Sequence, residues 1–186
     1  MTPRQVLLFT GHVVDAPGRA PPRLPASRVP AAAAAIARVL DELGAGPADL
    51  ALTQGAAGGD ILFAEACFAR GVPLQLLLPQ AEPDFVEASV RGGADGAAWQ
   101  ARWLAVRDHA AAPPQVLAPG DGDIYERCNR WLLAAALAHG VGRLHGIALW
   151  DGAPGGTGGT AHMVDAVRAA GGTLHWIDTR TLADAA

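Results

Sequence analysis

Short, continuous apolar runs alternate along this chain with longer segments in which apolar residues recur every three or four positions. Continuous apolar runs are typical of strands buried on both faces, and the longer period indicates amphipathic helices. The pattern predicts strands at 5–10, 50–53, 74–78, 147–150 and 174–177, with a weak edge strand at 116–117.

Helical segments fall between the predicted strands. The first shows the expected asymmetry of helix ends, with Pro30 in its first turn and Gly44 just past its last. Strands that alternate with helices imply a parallel sheet with right-handed crossovers. The prediction is an α/β fold in which residues 1–186 form a single doubly wound, Rossmann-like domain, with about six strands and helices on both faces. The predicted helices are 30–43, 61–70, 83–90, 97–107, a segment capped by Asp121 or Asp123 that runs to 138, and one that follows the loop after 150.

A glycine-rich loop follows the strand at 147–150 and leads into a helix. The first N–H groups of a helix lack intrahelical partners, and glycines allow an anion to approach them closely. This arrangement favours a cradle for a nucleotide phosphate, and a flexible surface turn is the alternative. Asp151 begins the loop and would bond a ribose hydroxyl or brace the loop. The predicted cradle comprises Gly155, Gly156, Thr157, Gly158, Gly159 and Thr160.

Two further glycine-bearing turns follow the first and second strands. In doubly wound sheets, ligands bind beyond the carboxyl ends of the strands, where the strand order reverses. If the first strand is central, all three turns converge there, which favours a nucleotide pocket over three unrelated turns. Asp60 would either cap the following helix or contact the ligand. The residues assigned to these two turns are Gly11, His12, Gln54, Gly55, Gly58, Gly59 and Asp60.

The proline-rich loop after the first strand carries three arginines that could reach an anionic ligand from that strand's carboxyl end. They are Arg19, Arg23 and Arg28. A solvated loop charge is the alternative for each of them. We favour Arg28 because it immediately precedes the next helix.

Composition and charge limit the possible partners. Hydrophobic residues make up 51% of the chain and charged residues 17%, which excludes a disordered protein. A net charge of -4 argues against nucleic acid or anionic lipid as a partner. No apolar run is long enough to span a membrane, so we expect a cytoplasmic protein. Cys67 and Cys128 are expected to be reduced structural thiols, with no metal site and no cofactor.

Two common nucleotide motifs are absent. The first strand is not followed by the G-x-G-x-x-G turn of dinucleotide-binding domains, and no lysine follows the glycines as it would in a P-loop. A dehydrogenase or a kinase is therefore disfavoured.

Five motifs together resemble the SLOG superfamily, Rossmann-like nucleotide-binding proteins that include the LOG (lysine-decarboxylase-like) phosphoribohydrolases and the DNA-processing protein A family. The motifs are F-T-G-H at 9–12, T-Q-G-A-A-G-G-D at 53–60, L-L-L-P at 76–79, Y-E-R-C-N-R at 125–130 and P-G-G-T-G-G-T at 154–160. The resemblance is closer to stand-alone binding domains of bacterial signalling systems than to the hydrolases. It implies a homodimer, because related proteins commonly pair.

Departures from the LOG motifs bear on chemistry. Arg127 matches the E-R-K arginine, which the resemblance implies pairs with phosphate. The glutamate of the LOG glycine motif falls on Met163, and a thioether cannot serve as a general acid. We therefore expect a sensor domain that binds a nucleotide or nucleotide-derived metabolite. The alternative is a nucleotide phosphoribohydrolase, with Arg127 and His162 as candidate catalytic residues; a DNA-binding role ranks third.

Overall fold

Six parallel strands form one sheet in the computed structural model, which describes residues 2–185. Their order is β4-β3-β2-β1-β5-β6, which confirms the predicted α/β, doubly wound architecture. The strands are β1 (Val6–Gly11), β2 (Leu50–Thr53), β3 (Leu74–Leu78), β4 (Gln115–Val116), β5 (Leu144–Trp150) and β6 (Thr173–Asp178).

The helices pack on both faces of this sheet, and none in the described part of the chain is long and apolar enough to cross a membrane. Asp123 caps α5, as one of the two predicted alternatives, by accepting a hydrogen bond from the Glu126 N–H at 2.8 Å. The helices are α1 (Val29–Glu42), α2 (Gly59–Phe68), α3 (Glu82–Phe85) with a π-helical turn at Val86–Val90, α4 (Gly96–His109), α5 (Ile124–Leu137) and α6 (Thr160–Ala169).

Strand β5 begins three residues earlier than the apolar run predicted. His145 and Gly146 interrupt that run, yet both pair in register with β1 and β6. Gly146 faces α6, where an added Cβ would lie 2.9 Å from Val167 Cγ1. The close packing of α6 therefore explains why a glycine occupies the strand.

Two apolar cores lie on opposite faces of the sheet. On one face, α1, α2 and α4 cover a core in which the rings of Phe9 and Phe63 stack with centroids 4.8 Å apart. On the other face, α5 and α6 bury Cys128 and Met163. Both cysteines are buried and free, as predicted, and burial raises the pKa of the Cys128 thiol to about 12.

The order of the strands reverses at β1. From β1 the chain builds outward through β2, β3 and β4, and α5 then carries it back to β5 on the other side of β1. The loops that follow β1, β2 and β5 consequently meet at one edge of the sheet. This confirms that the three glycine-bearing turns converge.

Candidate functional site

His12 joins the ends of the two strands that flank the reversal point. Its backbone N–H donates to the Leu149 carbonyl at 2.9 Å. Its Nε2 lies 3.1 Å from the backbone N of Asp151 and 3.1 Å from Asp151 Oδ1. A neutral imidazole uses Nε2 for one of these groups at a time, either accepting from the N–H or donating to the carboxylate.

Burial determines the charge of this pair. It lowers the pKa of His12 and outweighs the opposing effect of the Asp151 carboxylate. Burial also raises the pKa of Asp151, but the Ala153 N–H, His12 and the positive charge of Arg23 outweigh it, so the net pKa is lowered. The two lowered pKa values correspond to a neutral imidazole beside an ionised carboxylate. One negative charge therefore remains at the base of the crevice.

The loop after β2 is fastened to the loop after β1 through glycines. Gly58 has a φ of +95°, and an added Cβ would lie 2.6 Å from the Val14 backbone N. The Gly59 N–H donates to the His12 carbonyl at 3.1 Å. Gly55, Gly58 and Gly59 do not line the cavities described below, so they shape the loop.

Asp60 braces the same loop from the first turn of α2. Its Oδ2 accepts hydrogen bonds from the N–H groups of Gly55 at 3.0 Å and Ala56 at 3.2 Å. Burial nevertheless raises the pKa of Asp60 to about 6. Asp60 therefore does not cap α2, whose N-cap is Gly58; its side chain holds the preceding loop and forms part of the wall of a cavity.

Asn129, which the sequence did not assign to the site, connects the second and third loops. Its Nδ2 donates to the Gly158 carbonyl at 2.7 Å, and its Oδ1 accepts from Gln54 Nε2 at 3.1 Å. Gly158 has a φ of +75° and packs so closely on α5 that an added Cβ would lie 2.5 Å from the Glu126 N. An asparagine in mid-helix carries no pattern that would have revealed this role.

Three adjoining cavities open between these loops. We name them the inner cavity, of about 190 Å³, the front cavity, of about 420 Å³, and the loop cavity, of about 230 Å³. The inner cavity is bounded by Gly11, His12, Gln54, Asp60, Tyr125 and Asn129. The front cavity is bounded by Val13, Arg19, Ser89, Gly93, Tyr125 and Thr157. The loop cavity is bounded by Arg19, Arg23, Trp150, Asp151, Gly155 and Gly156.

The glycine-rich loop brings the start of α6 to these cavities. Gly159 is the extended residue before the helix, and no side chain caps the first-turn N–H groups. Gly159 and Thr160 border both the inner and the loop cavities. Added Cβ atoms on Gly155 or Gly156 would meet nothing within 4 Å, so the loop leaves open space above the helix N-terminus.

Neither of the two arginines that the sequence analysis favoured, Arg28 and Arg127, borders these cavities. Arg127 donates to the carbonyls of Ala118 at 2.5 Å and Gly120 at 3.0 Å and does not border the cavities. Arg28 also lies outside them and instead contacts the Thr179 carbonyl and Asp184, each at 3.3 Å. These contacts bind both side chains to neighbouring segments.

Arg19 and Arg23 border the cavities in place of Arg28 and Arg127. The buried carboxylate of Asp15 determines this arrangement, because its Oδ2 accepts from the backbone N–H groups of Arg23 at 2.8 Å and Leu24 at 3.0 Å. The loop after β1 is thereby folded back towards the site. Three arginines in an irregular loop offer no periodicity from which this outcome could be predicted.

His162 and Met163 lie apart from the cavity centre. His162 borders the outer side of the glycine-rich loop beside Glu126 and Asp165, and its Nδ1 is 3.4 Å from Asn129 Nδ2. Met163 is only 1% exposed and packs in the core beneath α6. The position that the resemblance aligns with the LOG glutamate thus faces the interior.

The chain matches no model of a known protein family, and no curated protein resembles it at a significant level. Within residues 2–185, no group of three or more His, Cys, Asp and Glu side chains is placed to hold a metal ion. The groups that line the cavities are backbone N–H groups and arginines, which can bind an anion, and polar side chains, which can hydrogen-bond to a ligand.

Proposed function

We propose that this protein binds a nucleotide or a nucleotide-derived metabolite and acts as a sensor domain. The observation that carries the proposal is the uncapped start of α6, which opens onto connected cavities at the strand reversal point beside Arg23. Backbone N–H groups at a helix N-terminus and a nearby guanidinium are the groups that bind phosphate.

The remaining walls suit the other parts of a nucleotide. Asp60, Gln54 and Asn129 offer carboxyl and amide groups in the inner cavity. Tyr125 borders the inner and front cavities and can pack against a base or ribose. A small pocket with a few converging polar groups is typical of metabolite sites.

The SLOG resemblance supports the same proposal. The 53–60 and 154–160 motifs both form loops at the site. The resemblance also leads us to propose a bacterial signalling role in the cytoplasm and a homodimer, which light scattering of the purified protein would test.

A nucleotide phosphoribohydrolase is the second candidate, and Asp60 is the observation that favours it. Its pKa of about 6 allows the carboxyl to donate or accept a proton near neutral pH. Its two hydrogen bonds from the loop N–H groups, however, give it a structural task as well. Product analysis is needed to separate the two candidates.

The test is thermal stabilisation by AMP, ADP-ribose, NAD, cyclic nucleotides and ribose 5-phosphate, followed by analysis of each mixture for released base. A ligand at 100 times its dissociation constant adds about 2.7 kcal/mol to the free energy of unfolding. We expect stabilisation with the ligand recovered intact. Released base would favour the hydrolase, and no stabilisation by any compound would refute the proposed pocket.

Gly155→Asp gives a sharper version of this test. An added Cβ at Gly155 has open space, so the variant should fold while its carboxylate repels a bound phosphate. Gly142→Asp is the matched control, because an added Cβ at Gly142 also meets nothing within 4 Å and Gly142 lies outside the three cavities. The control should bind like the wild type, whereas Gly155→Asp should lose at least tenfold in affinity.

A further inference from the structure

The inner and loop cavities meet at a boundary formed by the same four residues. These are His12, Arg23, Gly159 and Thr160, each of which borders both cavities. A cation, a histidine and the start of a helix thus surround one point between two compartments. A group bound at this point has space on both sides.

Arg23 is the cation at this boundary, and its side chain has no hydrogen-bond or ion-pair partner among the described residues, 2–185. Its Nε is inaccessible to solvent yet makes no hydrogen bond. The ion pairs formed among residues 2–185 do not include Arg23, whereas Arg19 is paired with Asp15 at 3.4 Å. A guanidinium that borders a cavity and has an unused, buried N–H can donate a hydrogen bond to an anionic ligand.

The charge of Arg23 acts inside the site. It contributes to the lowered pKa values of both His12 and Asp151, which lie on the β1 and β5 sides of the crevice. Arg23 also lines both cavities, so its charge lies close to the boundary. Since Asp151 leaves a negative charge nearby, Arg23 supplies the compensating charge that an anionic ligand requires.

The two compartments differ in chemistry. The inner cavity offers Asp60, Asn129 and Tyr125, which suit hydroxyl groups and a ring with polar edges. The loop cavity is bounded by Trp150 and Pro154. The Trp150 indole is fixed by its Nε1 donating to the Ala153 carbonyl at 2.9 Å.

We propose that Arg23 and the first turn of α6 bind an anionic group in the interior of the ligand, a phosphodiester or diphosphate, from which the ligand extends into both cavities. The inference rests on the proposed nucleotide function and narrows its ligand class. A terminal phosphate would fill the boundary but leave one cavity without a ligand group.

The experiment measures dissociation constants by calorimetry for three probes that share adenosine: AMP, the methyl ester of AMP, and ADP-ribose. AMP ends in its phosphate, the ester has a minimal group beyond it, and ADP-ribose carries a ribose there. We expect ADP-ribose to bind at least tenfold more tightly than AMP, with the ester between them.

Variants test the assignment of Arg23. Arg23→Gln should weaken ADP-ribose binding at least tenfold, and Arg23→Lys should recover part of the loss because it restores the charge without the planar fork. Arg38→Gln, on the exposed surface of α1, removes the same charge away from the cavities and should change the affinity less than twofold.

Three results would overturn the proposal in distinguishable ways. AMP binding as tightly as ADP-ribose would refute an interior anion and leave the nucleotide function intact. Equal losses in Arg23→Gln and Arg38→Gln would refute the role of Arg23. Folded wild-type protein that binds none of the probes would refute this inference together with the proposed function.

Discussion

The imidazole of His12 and the start of the loop at Asp151 are held 3.1 Å apart although they are separated by 139 positions in sequence. This contact closes the crevice between β1 and β5, the one pair of neighbouring strands at which the direction of sheet growth reverses. The contact thus anchors the start of the glycine-rich loop to the end of β1.

Stability should fall as the pH is lowered below about 6.5, the ordinary histidine pKa. Burial lowers the pKa of His12, so the unfolded chain takes up a proton first, and the stabilisation present above 6.5 is lost as pH falls towards the folded-state value. Urea unfolding between pH 5 and 7.5 measures this. His12→Gln should flatten the dependence in part, and an unchanged slope would show that His12 does not contribute.

The pH dependence of stability that remains in His12→Gln should come from two other histidines. His145 Nδ1 and His175 Nε2 lie 3.1 Å apart across β5 and β6, and burial lowers the pKa of both. Their contribution has the same sign as that of His12. Adding His175→Gln to the first variant should remove more of the dependence.

Asp60 should act in the opposite direction. Burial raises its pKa to about 6, so its neutral form is favoured in the fold, and this contribution to stability is lost as pH rises from the unfolded-state value through about 6. This pKa shift corresponds to about 3 kcal/mol. Asp60→Asn keeps an oxygen for the Gly55 and Ala56 N–H groups and does not titrate. Its free energy of unfolding should therefore rise relative to that of the wild type as the pH increases from 4 to 7.

The control for Asp60 is Asp121→Asn, in an exposed loop away from the cavities. Chemical denaturation of both variants across the same pH range provides the comparison. A parallel response of the two variants would contradict the role assigned to burial of Asp60.

Gly158→Ala and Gly156→Ala should differ in their effect on stability although both lie in one loop. At Gly158, the positive φ and the close approach of α5 leave no place for a Cβ, so we expect a loss of about 2 kcal/mol or more. At Gly156 the Cβ has open space, and the melting temperature should barely change. Calorimetry compares the melting temperatures of the two variants. Similar values would show that the loop can move away from α5.

Met163→Glu should not create a hydrolase. Met163 is buried among Cys128, Leu132 and Val167, so a carboxyl there would enter an apolar core and cost several kcal/mol. We expect a lower melting temperature and no released base from AMP. Met163→Leu is the matched control and should cost less than about 1.5 kcal/mol. Base release by a stable Met163→Glu protein would place this position at the site after all.

Much of the architecture followed from local pattern. The strands at 50–53 and 74–78 were predicted to the residue, because each is a short, mostly apolar run with a proline or glycine within three residues of either end. Alternating strands and helices then implied the parallel sheet. The boundaries at β5 and α2 were missed where glycine and polar residues occupy an element for packing reasons.

The sequence by itself therefore determined the fold class and, given a central first strand, the convergence of three glycine-bearing loops. Tertiary structure alone decided which side chains meet there. Arg23 borders the site and Arg127 does not, because Asp15 folds one loop inward while the carbonyls at 118 and 120 hold the other arginine outside. Periodicity records which face of an element is buried, but the direction of a side chain in an irregular loop depends on distant hydrogen-bond partners that appear only when the chain is folded.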